Sequence, residues 1–199
     1  MLRRFSDVAG AGLLLLVFSP VLLLACAALL LTQGRPVFFG HTRLGRSGAP
    51  FRCWKLRTMR VDAEERLERE PELWQRYVEN GFKLPNGSDP RITVVGRLLR
   101  RTYIDEIPQL FNVIVGRMSL VGPRPIVPSE LEHYGPAAGE LLRERPGIVG
   151  AWTSHGRARP AYPERAAVEL QYVRTRSPAT DLRILARSIP VVLRGQDDG

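Results

Sequence analysis

The sequence VAGAGLLLLVFSPVLLLACAALLLT, residues 8–32, decides the architecture of this chain, because it contains no charged side chain. As a helix rising about 1.5 Å per residue, it is long enough to cross the roughly 30 Å hydrocarbon core of a bilayer. The sequence therefore predicts a membrane segment near the N-terminus.

The dipeptide Ser19-Pro20 lies in the middle of this segment. A proline inside a helix removes one backbone hydrogen bond and kinks the axis. The Ser19 hydroxyl or a water molecule is expected to satisfy the carbonyl that becomes free near Leu16. Each half-helix is too short to span a bilayer alone, so we predict a helix break at Ser19 and Pro20.

Basic residues flank the segment on both sides, with Arg3 and Arg4 before it and Arg35, Arg43 and Arg46 after it. Basic flanks normally stay in the cytoplasm. A re-entrant helix hairpin, which enters and leaves the membrane through the same face, keeps both flanks there.

Two alternatives to the hairpin remain open. One is a kinked helix that spans the bilayer. The other is a cleaved signal, since LLAC before Ala27 resembles a lipoprotein box, although the apolar run continues past Cys26.

The rest of the chain predicts a small α+β domain that is mostly helical. Residues 36–59 carry β-branched and aromatic residues around a Gly45–Gly48 turn, which predicts a β-hairpin. Residues 61–77 predict a charged, solvated helix interrupted at Pro71, and residues 80–91 predict a loop. We place a re-entrant membrane helix in residues 1–34 and a membrane-associated domain in residues 35–199.

Two further helices follow that loop. Residues 92–101 place apolar side chains at helical spacing among arginines, which suits an amphipathic helix at headgroup level. The next helix is expected to start within RRTYIDEIPQ, residues 100–109, and to end at Gly116. Its expected apolar face consists of Ile107, Leu110, Phe111 and Ile114.

Asp105 and Glu106 fall in the first turn of this expected helix. Acids there are common caps without any chemistry, because they complement the helix dipole. The alternative is a catalytic pair, in which the dipole and Arg100 or Arg101 keep at least one carboxylate ionised. The local pattern alone leaves both interpretations open.

The charge balance points to an anionic partner, since 29 Lys and Arg residues oppose 20 Asp and Glu residues for a net charge of +9. Nucleic acid, an anionic membrane and a phosphorylated substrate all fit this charge. Cys26 and Cys53 form neither a disulfide framework nor a metal motif, which suits a reducing compartment. Arg124 lies between two prolines that fix its direction, so it is either a rigid phosphate contact or part of a surface connection.

The Ser-Pro in the apolar run, KLRTM at 55–59, residues 89–125, RPGIVGAW at 145–152 and residues 181–195 closely resemble the bacterial sugar transferases, also called monotopic phosphoglycosyl transferases. The resemblance covers essentially the whole chain. It implies transfer of a phosphosugar from a UDP-sugar, here UDP-galactose or UDP-glucose, to a polyprenyl (undecaprenyl) phosphate with release of UMP. Such a reaction is the first membrane step of exopolysaccharide or O-antigen assembly.

The resemblance also assigns roles to individual residues. Asp105 matches the aspartate nucleophile that forms a covalent aspartyl-phosphosugar, and Glu106 matches its dyad partner. Mg²⁺ is the expected cofactor, with Asp105 and Glu106 as its candidate ligands. Arg124 matches the arginine of a phosphate-binding Pro-Arg-Pro element. Phosphate or nucleotide contacts are expected from Lys55, Arg57 and Arg91.

Two positions depart from the family pattern: Arg117 replaces a usual acid, and GAWTSHGR at 150–157 replaces a glutamine-containing motif. The expected location is the cytoplasmic face of the bacterial inner membrane. Expected partners are the two substrates and membrane lipid, with a homodimer left open and no nucleic acid. The alternative function is a non-enzymatic, basic, membrane-anchored binding module.

Overall fold

The computed structural model describes residues 2–79, 84–153 and 161–195. The helices in these ranges are α1 (Leu2–Gln33), α2 (Ala63–Arg69), α3 (Pro71–Glu79), α4 (Val94–Arg101), α5 (Gln109–Ile114), α6 (Ala138–Leu141), α7 (Glu164–Thr175) and α8 (Pro178–Arg194). The strands are β1 (Phe38–Leu44), β2 (Pro50–Leu56), β3 (Ser119–Val121) and β4 (Gly147–Val149). The predicted α+β class with a helical majority is confirmed.

Helix α1 is a single helix of 32 residues that continues through Ser19 and Pro20, so the predicted break into two half-helices is not confirmed. The Ser19 hydroxyl donates a 2.8 Å hydrogen bond to the Leu16 carbonyl, which satisfies the group that the proline leaves free. Ala11 and Ala25, on either side of Pro20, are both buried against the rest of the chain. Packing on both sides of the proline therefore supports the helix across it.

The outer face of α1 is apolar and exposed, with Leu16 and Leu24 each more than 70% exposed. Residues 3–33 are the part of the described chain that is long and apolar enough to cross a membrane. This surface indicates membrane association. Both ends of the helix contact the domain, because Arg4 donates to the Val113 and Ile114 carbonyls and Gln33 donates to the Thr93 hydroxyl.

The predicted β-hairpin is confirmed, with β1 and β2 antiparallel and Phe39 opposite Lys55. Phe51 and Cys53 on β2 are buried against Leu110 and Val113 of α5. The Asn112 side chain of α5 accepts from the Trp54 amide at 3.0 Å and donates to the Arg52 carbonyl at 2.8 Å. These two bonds fix the edge of β2 against α5.

The predicted charged helix with an interruption at Pro71 is confirmed, because α2 ends at Arg69 and α3 begins at Pro71. Ion pairs one helical turn apart, such as Arg69–Glu65, lie on its exposed face. Of the predicted loop, residues 84–91 form turns, while residues 80–83 lie outside the described ranges.

Helix α4 has the predicted amphipathic character. Val94 is 86% exposed and Leu98 is 61% exposed, whereas Leu99 is buried against α1. The helix lies unusually close to the KLRTM segment, since a Cβ added at Gly96 would be 1.9 Å from the Thr58 carbonyl oxygen. Glycine at 96 therefore allows α4 to bring its arginines next to the end of β2.

The prediction for the helix around the acid pair needs two corrections. Ile104–Glu106 form a separate 3-10 turn, and α5 begins only at Gln109. Tyr103 adopts a left-handed conformation with φ 58°, which ends the preceding helix and reverses the chain before the acids. The expected apolar face is also divided, because Leu110 is buried while Phe111 is 46% exposed.

The end of α5 follows the prediction, since Gly116 has φ +82°. Beyond it, β3 pairs in parallel with β4. Val121 of β3 packs with Tyr172 of α7 and Ile184 of α8. These elements support the connection that carries Arg124.

Candidate active site

The acid pair lies at the meeting point of α4, β2 and the 3-10 turn. Asp105 is only 6% exposed, and Glu106 is half-buried. A left-handed aromatic residue such as Tyr103 is uncommon, and backbone strain of this kind concentrates at functional sites. The turn therefore directs Asp105 into the domain rather than into solvent.

Lys55 on β2 forms the direct contact with this pair. Its Nζ lies 2.5 Å from Glu106 Oε1. Burial would lower the pKa of Lys55, but Glu106 and Asp105 outweigh it and the pKa is raised. Lys55 is therefore a firmly charged ammonium group beside the two carboxylates.

Burial above all, together with the charge of Glu106, raises the pKa of Asp105 to about 7, while Lys55 and Arg100 oppose the shift. The sequence predicted that the helix dipole and an arginine would favour ionised carboxylates and keep at least one of the two ionised, which is the opposite direction for Asp105. The prediction was wrong for Asp105 because its turn precedes the helix and because the side chain is buried. Cationic groups around Asp105 consequently control how much of it is ionised near neutral pH.

Arg100 is a member of this site that the sequence did not single out as a ligand-binding residue. Its Nε donates to the Thr58 hydroxyl at 2.8 Å, and its Nη1 donates to Asn86 Oδ1 at 3.1 Å. Burial lowers the pKa of Arg100, and Asp105 raises it. The signal available in the sequence was the one-turn spacing between Gly96 and Arg100, which places the arginine beside the close helix contact.

Arg124 lies in the same charged neighbourhood. Its backbone amide donates to Glu169 Oε2 at 3.2 Å, and its guanidinium lies 5.0 Å from the centre of the Trp152 ring. Burial lowers the pKa of Arg124, as do the charges of Arg165 and Arg43, while Glu130 and Glu106 raise it. The buried Nε has no hydrogen-bond partner among the residues that the structure describes. An anionic oxygen would satisfy this nitrogen.

Arg165 of α7 is a residue that sequence reasoning missed. Its guanidinium lies 5.0 Å from both the Trp152 ring and the Tyr162 ring. Its ion pairs are long, at 3.6 Å to Glu169 and 3.8 Å to Glu130. Trp152 thus contacts the guanidinium groups of both Arg124 and Arg165. It belongs to the GAWTSHGR segment, of which residues 154–157 lie outside the described ranges.

Two of the predicted phosphate-binding arginines make other contacts. Arg57 donates to the carbonyls of Gln33, Gly34 and Arg35 at 2.7–3.2 Å. Its guanidinium therefore caps the C-terminal end of α1. Arg91 forms a two-pronged pair with Asp89 at 2.8 and 2.9 Å. Neither contact involves the acid pair.

The carboxylates of Asp105 and Glu106 suit a Mg²⁺ ion that is also held by the phosphates of a substrate. No cluster of three or more His, Cys, Asp or Glu side chains that could enclose a metal ion occurs in residues 2–79, 84–153 and 161–195. Mg²⁺ at phosphoryl-transfer sites is usually held by one or two carboxylates together with substrate phosphates. An adjacent Asp and Glu therefore fit a metal that arrives with a diphosphate substrate.

The sequence pattern of the bacterial sugar transferases matches residues 1–195. The chain belongs to the bacterial sugar transferase family. The predicted resemblance is thereby confirmed.

Three relatives of this bacterial sugar transferase have informative names. The exopolysaccharide production protein ExoY of Rhizobium meliloti is 44% identical over 96% of this chain and 85% of its own length. The undecaprenyl-phosphate galactose phosphotransferase of Salmonella typhimurium is 39% identical over 97% of this chain and 40% of its own length.

The third is the UDP-glucose:undecaprenyl-phosphate glucose-1-phosphate transferase of Caulobacter vibrioides, which is 38% identical over 96% of this chain and 69% of its own length. The transferase chain therefore spans most of some relatives and less than half of others.

Proposed function

We propose that this bacterial sugar transferase moves a sugar-1-phosphate from a UDP-sugar to undecaprenyl phosphate, through a covalent intermediate on Asp105. The observation that carries the proposal is the buried Asp105 carboxylate, flanked by Glu106 with its Lys55 partner and by Arg100. A carboxylate held among cations is suited to attack a diphosphate, since the cations offset the repulsion between anions.

In the first step, an Asp105 carboxylate oxygen attacks the phosphorus that carries the sugar. A bond forms between that oxygen and phosphorus, and the bond to the bridging oxygen breaks. UMP leaves with the electron pair, and the phosphosugar remains on Asp105. The ionised form of Asp105 is required, because a protonated carboxyl is a weak nucleophile.

In the second step, a phosphate oxygen of undecaprenyl phosphate attacks the same phosphorus. The bond to Asp105 breaks, and the carboxylate is regenerated. The product is an undecaprenyl diphosphate sugar. Because UMP leaves before the lipid reacts, one site can serve two substrates of opposite solubility in a ping-pong sequence.

Glu106, with Asp105 beside it, would hold Mg²⁺ against the diphosphate, where the metal supplies charge neutralisation and orientation. Lys55 positions Glu106 through their ion pair and stabilises the ionised Asp105. Arg124 offers its free Nε to a phosphoryl oxygen, and its planar guanidinium suits a bidentate contact. Arg100 adds a second cation on the α4 side.

We place the chain at the cytoplasmic face of the inner membrane. Exposed apolar side chains on α1 and on Val94 and Leu98 of α4 form a surface suited to lipid. Both ends of α1 contact the same domain, which favours a helix whose two ends stay on one side of the membrane over a spanning helix. A homodimer stays a prediction.

UDP-galactose and UDP-glucose are the proposed donors, because the names of the relatives include both sugars. The test is UMP release by the purified chain with each UDP-sugar, undecaprenyl phosphate and Mg²⁺. We expect release with at least one donor and none after chelation of the metal. No release with any donor would favour the alternative, a basic membrane-anchored module without enzymatic activity.

A further inference from the structure

A basic cavity lies at the N-terminal end of α1, and neither Asp105 nor Glu106 lines it. Its volume is about 210 Å³. It is lined by six arginines, two carboxylates and a serine: Arg3, Arg4, Arg46, Arg143, Arg145, Arg176, Asp7, Glu144 and Ser119. None of these residues takes part in the proposed transfer reaction.

The carboxylates around this cavity neutralise only part of its charge. Asp7 accepts from the Ser119 hydroxyl and the Leu120 amide, so it fixes α1 to β3. Glu144 pairs with Arg3 and with Arg176. Even with Asp181, which lies 3.6 Å from Arg3, the arginines outnumber the carboxylates by two to one.

Apart from Arg3 and Arg176, which pair with Glu144, the arginines divide into two groups. Arg4 and Arg145 donate to backbone carbonyls, which holds them in place but leaves their charge uncompensated. Arg46 and Arg143 are exposed and form no side-chain hydrogen bond or close ion pair within the described ranges, although the charge of Arg143 helps to lower the pKa of Glu140. These two guanidinium groups are therefore available to a ligand.

The cavity also lies at the border of the apolar surface. Arg4 bonds to the carbonyl of Ile114, and the neighbouring Val115 is 68% exposed. Phe5, next to Arg4, is 73% exposed. Apolar side chains beside a group of arginines are the arrangement found where acyl chains meet headgroup phosphates.

Arg117 strengthens this charge. It is exposed and lines a smaller cavity together with Arg46. Two arginines that line one cavity favour an anion there.

We propose that the cavity binds a phosphate group, and that its source is the headgroup of an anionic phospholipid. Arginine is suited to this task because its guanidinium donates two parallel hydrogen bonds to phosphate oxygens. A free phosphate ion has the same chemistry, so the experiment must distinguish the two sources. The site is separate from the acid pair and does not depend on the proposed transfer reaction.

The test compares Arg46→Gln/Arg143→Gln with the wild-type full-length chain in detergent. The control is Arg60→Gln/Arg69→Gln, which removes the same charge from exposed ion pairs near α2. Retention of phosphatidylglycerol and of phosphatidylcholine is measured by native mass spectrometry, and binding of inorganic phosphate by thermal shift. Circular dichroism verifies that each variant is folded.

We expect the cavity variant to lose roughly tenfold or more in phosphatidylglycerol affinity, since each arginine near an anionic lipid contributes substantially. The control should match the wild type. Loss of the inorganic phosphate shift alone would support the cavity with a free phosphate as its source. Equal binding of both ligands by the wild type and the cavity variant, or equal losses in the control, would overturn the proposal.

Discussion

Lys55 Nζ lies 2.5 Å from Glu106 Oε1, which joins strand β2 to the turn that carries both acids. Removing Lys55 would leave Asp105 and Glu106 as adjacent like charges without their nearest cation. We expect Lys55→Met to lower kcat/KM for UMP release by roughly a hundredfold, the scale typical of a lost electrostatic contact. Arg52→Met is the matched control, because Arg52 is an exposed cation on the same strand.

If Lys55→Met retained wild-type kcat/KM, Lys55 would have no part in the reaction. If the control fell equally, the loss would reflect a damaged hairpin.

Arg124 should not tolerate lysine. Lysine keeps the charge but loses the planar fork that packs over Trp152 and that we propose as the phosphate contact. We expect Arg124→Lys to reduce kcat/KM by roughly tenfold or more. Arg117→Lys should change kcat/KM little, because Arg117 is exposed. Near-normal kinetics in Arg124→Lys would refute a bidentate role.

Glu169 should make stability depend on pH. Burial raises its pKa from the ordinary 4.5 to about 7, and Arg165 only partly opposes this. Between these values the folded chain holds a proton that the unfolded chain has released. The wild type should therefore lose stability as pH rises through this window, by on the order of 3 kcal/mol, and lose no more above it.

In Glu169→Gln this loss should be absent. The Tm difference between variant and wild type, measured at about pH 5 and about pH 8, should shift in favour of glutamine at the higher pH. Glu68→Gln, on the exposed face of α2, is the control. If the Tm difference between Glu169→Gln and the wild type is the same at both pH values, Glu169 is ionised in the folded chain at both.

Helix topology can be tested with single cysteines at two exposed positions, Phe5→Cys and His41→Cys, compared with the parent chain. A helix whose ends stay on one side of the membrane predicts that both are shielded from an impermeant thiol reagent in intact cells. Pro20→Ala should shift part of the population toward spanning, since it restores the helical hydrogen bond. Labelling at position 5 alone would indicate a spanning helix in the wild type.

The sequence predicted those parts of the fold that depend on local patterns. The hairpin around Gly45, the interruption at Pro71 and the stop at Gly116 all follow from backbone preferences of single residues. The continuity of α1 through Pro20 did not follow, because it depends on packing of Ala11 and Ala25 against distant elements.

The candidate active site was predictable only in part, because some of its residues are positioned by packing between elements that are distant in the sequence. The acid pair and Arg124 were identified from motifs, whereas Arg100 and Arg165 reach the site through helix packing. The pKa of Asp105 depends on its burial, which local sequence does not reveal. Arg57 is in a recurrent family segment, yet its contacts are to the end of α1.

The central claim is that Asp105 and Glu106 are unequal, with Asp105 forming the covalent bond. The most direct measurement is the intact mass of the chain after incubation with a UDP-sugar and Mg²⁺ but without lipid acceptor. Wild type should gain the mass of one phosphosugar, Glu106→Gln should gain a trace, and Asp105→Asn should gain none, because its amide supplies no anionic oxygen. The same mass gain in Asp105→Asn, or none in wild type that turns over with lipid present, would contradict the account.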